Sequence, residues 1–158
     1  MITTILSDFS RVILFPKDKN YKGTLNGLYG EALENKQPFN FFDFFEFNEE
    51  ILSLYVSLKD KYSLNIFTSG IIQKAKEVER KIKPIFDNIY TASDFGLSKK
   101  QQDAYLFIAN KLRKNPTEIV YIDDKLDNCK VAEKAGMKTI HYEEFTKFKN
   151  QFVGTLNV

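Results

Sequence analysis

The sequence predicts an α/β fold built on a mainly parallel sheet, and three observations predict it. Short apolar, β-branched runs alternate from end to end with segments of helical period, the signature of βαβ units. Three of those runs lead straight into polar groups suited to ligand binding, Asp8, Thr68-Ser69-Gly70 and Asp123-Asp124. Size is the third: 158 residues with 43% hydrophobic content build one ordinary core and leave a second full domain cramped.

Ile2 to Leu6 reads as a buried strand. Val12 to Phe15 carries the apolar signal beyond it, with Asp8 at a chain bend between the two. Ile51, Leu54, Tyr55 and Leu58 fall at i, i+3, i+4 and i+7, so an amphipathic helix is expected over Glu49 to Lys61, with acids in its first turn. Leu64 to Phe67 is the next strand. Ile71, Ala75, Val78 and Ile82 share a helical face that ends before Pro84. Asn88 to Thr91 is another strand, and Tyr105, Ile108, Ala109 and Leu112 form a third helical stripe closed by Asn115-Pro116-Thr117. The continuous apolar run Ile119 to Ile122 suggests a strand covered on both faces. Asp127 is expected to cap a short helix carrying Val131, Ala132 and Ala135, with Gly136 as its left-handed end and Lys138 to His141 as the last core strand.

Residues 17–48 break the alternation. They hold turn residues, no clear period, and the run Phe39, Phe41, Phe42, Phe44, Phe45 and Phe47. The expectation is a single domain over residues 1–158 with a small cap-like insert at about 17–48 over the sheet edge. The plainer reading makes the phenylalanines satellite core. If exposed, the cluster offers an apolar interface for a homodimer.

Composition excludes several classes. A formal charge of +2 with scattered lysines gives no basic patch for nucleic acid. The single cysteine, Cys129, can form neither an internal disulfide nor a thiolate zinc cluster, which suits a reducing compartment. No apolar run approaches the roughly 20 residues that span a bilayer, and the first residues lack a signal-like pattern. A cytoplasmic location without a membrane partner is expected.

The polar groups carry the chemistry. Asp8, where the backbone leaves the sheet, can act as a nucleophile and as a hard-cation ligand, although a turn aspartate is the commoner fate of such a residue. Asp123 and Asp124 are adjacent acids after an all-apolar strand and repel one another unless a cation compensates them; oxygen ligands are what Mg²⁺ prefers. Thr68 offers a hydroxyl, and Ser69-Gly70 offers backbone N–H groups ahead of a helical stretch as a phosphate cradle, or an ordinary N-cap. Lys99, in the loop Gly96-Leu97-Ser98-Lys99-Lys100, can neutralise both phosphate and carboxylates. His141, the only histidine, reads as structural, because no serine or cysteine nucleophile has a sequence partner beside it.

Together these segments resemble the haloacid dehalogenase superfamily of Asp-nucleophile hydrolases over nearly the whole chain. Ser7-Asp8-Phe9-Ser10-Arg11-Val12-Ile13 is similar to its first motif, Ile66-Phe67-Thr68-Ser69-Gly70 to its second and Gly96-Leu97-Ser98-Lys99 to its third. Val120-Tyr121-Ile122-Asp123-Asp124, followed by Asn128 and Ala135-Gly136, is similar to its fourth. The resemblance implies a Rossmann-like three-layer sandwich and a phosphohydrolase of small phosphorylated metabolites that uses Mg²⁺. Asp8 would attack phosphorus, Thr68 would bind the phosphoryl group with Ser69 and Gly70, and Lys99 would hold the charges together. Asp8 and Asp124 would ligate Mg²⁺ with the backbone carbonyl of Ser10, and Asp123 would support the metal site, directly or through water.

The chain departs from the pattern at Ser10, where most phosphatases of the superfamily carry a second aspartate that protonates the leaving group and later activates water. Losing general acid–base catalysis costs about 10²–10⁴-fold, or roughly 3–5 kcal/mol of barrier. Arg11 stands where the usual pattern has glycine, and either offsets phosphate charge or crowds the turn. Lys100 replaces a frequent proline. Three functions therefore stay open: a Mg²⁺-dependent phosphohydrolase of low activity, a catalytically impaired phosphate- and metal-binding regulatory module, and a dehalogenase, whose leaving halide needs no acid.

Overall fold

The computed structural model describes residues 1–35 and 37–156. In chain order its elements are β1 (Thr4–Ser7), β2 (Leu14–Pro16), α1 (Leu25–Glu34), α2 (Phe41–Phe44), β3 (Phe45–Phe47), α3 (Glu49–Leu58), β4 (Ser63–Thr68), α4 (Lys76–Ile82), β5 (Asn88–Thr91), α5 (Gln102–Lys111), β6 (Ile119–Asp123), α6 (Leu126–Lys134), β7 (Lys138–His141) and α7 (Phe145–Leu156). Five strands form one wholly parallel sheet in the order β5-β4-β1-β6-β7. The first strand lies at the centre and the chain winds outward to both sides, which creates the crevice at the carboxyl edge where α/β folds bind ligands.

Strand periodicity builds the three layers, since successive side chains point to opposite faces. Ile5, Ile66 and Ile122 pack with Tyr55 of α3, Val78 of α4 and Phe148 and Phe152 of α7 on one face. Leu6, Phe67 and Tyr121 pack with Tyr105 and Ile108 of α5 and Ala132 of α6 on the other. The sheet is thus a Rossmann-like α/β sandwich, as the alternation of periods predicts.

The apolar signal of Val12 to Phe15 belongs to Leu14–Pro16, which pairs antiparallel with Phe45–Phe47 in a separate two-stranded ribbon. Two local readings differ from the structure. The stripe from Ile71 to Ile82 is interrupted, because a short 3-10 turn at Ile72–Lys74 ends at extended Ala75 before α4 begins. Lys125, not Asp127, occupies the N-cap of α6; Asp127 lies in the first turn, where its charge still favours the helix dipole. Gly136 does take the left-handed conformation after that helix, with φ +95°. The closing helix α7 has no counterpart in the sequence reading.

Residues 17–48, apart from Lys36, which lies outside the described residues, contribute α1, α2 and one strand of the ribbon. Phe41 and Phe45 are buried in the same core as β1, and Phe39 and Phe47 pack against it half-buried. Phe42 and Phe44 remain 44% and 41% exposed. Most of the phenylalanine run therefore anchors the segment to the main core.

Candidate active site

The register of the central strands brings the sequence-distant acids together. Ser7 pairs with both Ile66 and Ile122, so the next residue, Asp8, stands beside Phe67 and Asp123, with Thr68 one step further along. The Asp8 N–H donates to the Ile122 carbonyl at 2.7 Å, which fixes the bend where the chain leaves the sheet. Asp8, Asp123 and Asp124 can each offer a carboxylate oxygen within 4.8 Å of the others.

Lys99 enters this cluster from the loop before α5. Its Nζ donates to Asp8 Oδ1 at 2.8 Å and lies 2.9 Å from Asp123 Oδ2. Its side chain is 6% exposed, and its charge also faces the rings of Phe67 and Tyr121 at 5.5 and 5.4 Å. Tyr105 Oη holds the Lys99 carbonyl from below at 2.9 Å. Burial alone would depress the ammonium, yet Asp8 and Asp123 outweigh it and raise the group above its ordinary value.

The three acids differ in their support. Asp123 is fully buried and saturated: Tyr121 Oη, Lys99 and Asn128 Nδ2 (3.0 Å) converge on Oδ2, and the Lys125 N–H donates to Oδ1 at 2.8 Å. Burial pushes its carboxyl up, but Lys99, Tyr121 and Lys125 together hold it below the usual range. Burial raises the Asp8 carboxyl, Lys99 opposes the rise and Asp123 reinforces it, leaving a raised net value. Asp124 is pushed up to about 7 by burial and by the charges of Asp8 and Asp123. No backbone or side-chain N–H among the described residues bonds its carboxylate. Hard oxygen donors that carry more negative charge than Lys99 offsets fit a magnesium ion, which takes one or two carboxylates and fills its remaining positions with water and phosphate.

Position ten supplies no further acid. Ser10 Oγ is buried without a hydrogen-bond partner and lines the cavity. Arg11 adopts φ +61°, a left-handed conformation that costs a non-glycine residue roughly 1–2 kcal/mol. Its Nη2 donates to the carbonyls of Tyr21 at 3.1 Å and Gly23 at 2.8 Å, so it ties the start of the 17–48 segment to the first motif.

The second tether was invisible in the sequence. Asn26, in the first turn of α1, accepts hydrogen bonds at Oδ1 from the N–H groups of Ile71 (2.8 Å) and Ile72 (2.9 Å). Gly70, at φ +111°, permits this approach, since a Cβ there would meet the Asn26 side chain at 2.4 Å. The expected cradle of Ser69-Gly70 ahead of a helix is thus a loop whose following N–H groups are already taken. Gln73, fully buried, donates to the Gly70 carbonyl at 2.6 Å and to Thr91 Oγ1 at 2.8 Å, fixing the same loop from below.

Arg11, Thr68, Ser69, Lys99 and Asp124 share with Lys22, Thr24, Asn26 and Lys125 a cavity of about 240 Å³ between the sheet edge and the 17–48 segment. His141, paired in register with Asp123, donates through Nε2 to the Asp124 carbonyl at 2.9 Å, a structural task as read from the sequence. Tyr121 was missed as a site residue, although its place two residues before Asp123 on one strand face could have found it. Burial pushes the Cys129 thiol up to about 12, which removes it as a nucleophile.

A sequence match to the haloacid dehalogenase-like hydrolase family spans residues 27–142 and includes Thr68, Lys99, Asp123 and Asp124. The chain belongs to the haloacid dehalogenase-like hydrolase family. Asp8 precedes the matched stretch and joins the others through the sheet register. The chain is similar to enolase-phosphatase E1 of Parasynechococcus marenigrum, 31% identical over 99 residues that cover 60% of this chain and 40% of that protein. It is also similar to glyceraldehyde 3-phosphate phosphatase of Methanocaldococcus jannaschii, 30% identical over 80 residues covering 49% of this chain and 35% of that protein. The chain thus spans less than half the length of the curated relatives it matches. Its fold is similar to that of a HAD family enzyme of Bacteroides thetaiotaomicron solved with magnesium and inorganic phosphate, with a TM-score of 0.68 at 16% identity, covering 93% of this chain and 98% of that one. No helix among the described residues is long and apolar enough to cross a membrane.

Proposed function

We propose that this family member is a magnesium-dependent phosphohydrolase that acts on a small phosphorylated metabolite through an aspartyl-phosphate at Asp8. The observation that carries the reading is the constellation of buried Asp8, Lys99 and Asp123 with half-buried Asp124, beside Thr68 at the carboxyl edge of the sheet. The similarity to two phosphatases, and to a fold neighbour solved with magnesium and phosphate, supports the same class.

Asp8 and Asp124 would hold magnesium with the Ser10 carbonyl, and Asp123 would brace them. When bound, the ion neutralises charge on the phosphoryl oxygens. Lys99 opposes the upward push of burial on the Asp8 carboxyl and bonds Oδ1, which leaves Oδ2 for attack on phosphorus. A bond forms between Asp8 and phosphorus as the ester P–O bond breaks, and Thr68 and Lys99 hold the transferred oxygens. Water then attacks the aspartyl-phosphate and releases phosphate. Ser10 cannot supply the leaving-group proton at neutral pH, so water must. Turnover is accordingly slow, by about 10²–10⁴-fold relative to a site with a positioned acid.

Ser10 also favours a second reading, a module that holds metal and phosphate without efficient hydrolysis. Phosphate release from a panel of phosphorylated metabolites separates the two, measured with and without Mg²⁺ in the native chain, Asp8→Asn and Ser10→Asp. Magnesium-dependent release that disappears in Asp8→Asn is expected. A silent native chain beside an active Ser10→Asp would establish the binding module, and hydrolysis of haloacids insensitive to chelation would establish the dehalogenase.

A further inference from the structure

The cavity has an uneven distribution of charge. Its carboxylates, Asp8 and Asp124, lie at the sheet edge, whereas the facing wall and the mouth carry Arg11, Lys22 and Lys125. The acceptors on that wall are spent: Asn26 Oδ1 receives two backbone N–H groups and Thr24 Oγ1 receives the Gly27 N–H at 3.0 Å. Thr24 is also the N-cap of the ten-residue α1, so the positive end of that helix dipole adjoins the same wall. Ser10 Oγ adds a buried hydroxyl without a partner.

The charges at the sheet edge nearly cancel. Asp8, Asp123 and Asp124 carry three negative charges, which Lys99 and a divalent cation match. A phosphoryl dianion then meets three further cations, more than it needs. Beyond the mouth, Lys125 also borders an open groove with Lys100, where Asp127 is the one acid.

We propose that the substrate carries a second anionic group, a carboxylate or a further phosphate, on the portion that leaves, and that Lys22 and Lys125 bind it. This rests on the phosphohydrolase reading above and deepens it. The volume of about 240 Å³ restricts that substrate to a small metabolite whose second anion lies within a few bonds of the phosphoryl group.

Equilibrium binding to the native chain in Mg²⁺ tests this, using phosphonate analogues whose carbon–phosphorus bond does not hydrolyse. Analogues of glycerol phosphate, phosphoglycerate and propanediol bisphosphate share a three-carbon frame with a neutral, a carboxylate or a phosphate tail. At least one of the two anionic tails is expected to bind about tenfold more tightly than the neutral one, as two exposed ion pairs allow, and the tighter of them identifies which anion the site takes. Lys22→Ala with Lys125→Ala should bring that ratio close to one, whereas Lys22→Arg with Lys125→Arg should keep it. A neutral tail that binds as well as both anionic ones, or a preference that survives the double alanine variant, overturns the proposal. Inorganic phosphate is the control: magnesium-dependent phosphate binding with a flat analogue series rejects this inference alone, and no such phosphate binding rejects the phosphohydrolase reading together with it.

Discussion

On the sheet side of the cavity Lys99 is 6% exposed and clamped between Asp8 and Asp123, whereas on the facing side Lys22 is exposed and forms no ion pair among the described residues. The sheet side fixes its charges during folding, so for the proposed reaction they would meet developing charge at phosphorus without reorganising. The facing side leaves its charges solvated and adaptable, which suits the proposed recognition of a leaving group. The two sides are joined through few polar contacts, chiefly Arg11 to Tyr21 and Gly23, and Asn26 to Ile71 and Ile72.

Removing the clamp should give the largest effect. Lys99→Met leaves two buried carboxylates uncompensated, so hydrolysis falls below detection and stability drops by about 3–5 kcal/mol. Urea denaturation reads the second effect, and a variant as stable as the native chain would mean that the clamp is not what organises the sheet side. Next comes a gain: Ser10→Asp, placed on the cavity lining, should raise turnover by about 10²–10⁴-fold. No gain would place the missing acid elsewhere.

The pH dependence of the metal-free protein follows from Asp124. Its carboxyl is raised from 3.8 to about 7, so the fold favours the protonated form. That contribution is complete below 3.8 and is lost as pH rises through about 7. With a chelator present, the melting temperature of the native chain should therefore fall relative to Asp124→Asn across this window. Parallel curves would contradict the assigned burial and charge.

The smallest effect sharpens the boundary between the two sides. Asn26→Ala removes the acceptor of two N–H groups and should cost about 1 kcal/mol of stability. It should raise KM about fivefold while kcat changes little, because the loop it fixes binds rather than reacts. A fall in kcat with unchanged KM would instead assign Asn26 to the chemical step.

Legibility in the sequence follows the same division. Asp8, Thr68, Asp123 and Asp124 were readable because strand register converts position at the end of an apolar run into position in space, whereas Lys99, in the loop before α5, stood out only beside the other motifs. Tyr121 hid among core aromatics, since its hydroxyl reaches Asp123 while its ring packs beneath the sheet with Tyr105. Asn26, Lys22 and the tether through Arg11 were not readable, because residues 17–48 have no period and their placement depends on which aromatic side chains reach the core. Phe41 and Phe45 reach it, and Phe42 and Phe44 do not, from one continuous run. The interrupted helix after Gly70 escaped for a related reason: the side chain that takes the Ile71 and Ile72 N–H groups comes from that same segment.

The most direct test is mass spectrometry of the native chain quenched in acid during turnover of a phosphorylated substrate with Mg²⁺. A phosphoryl group is expected on the peptide containing Asp8, formed only with the metal and absent in Asp8→Asn. Sustained hydrolysis by Asp8→Asn, or a phosphoryl group on any other residue, would contradict it.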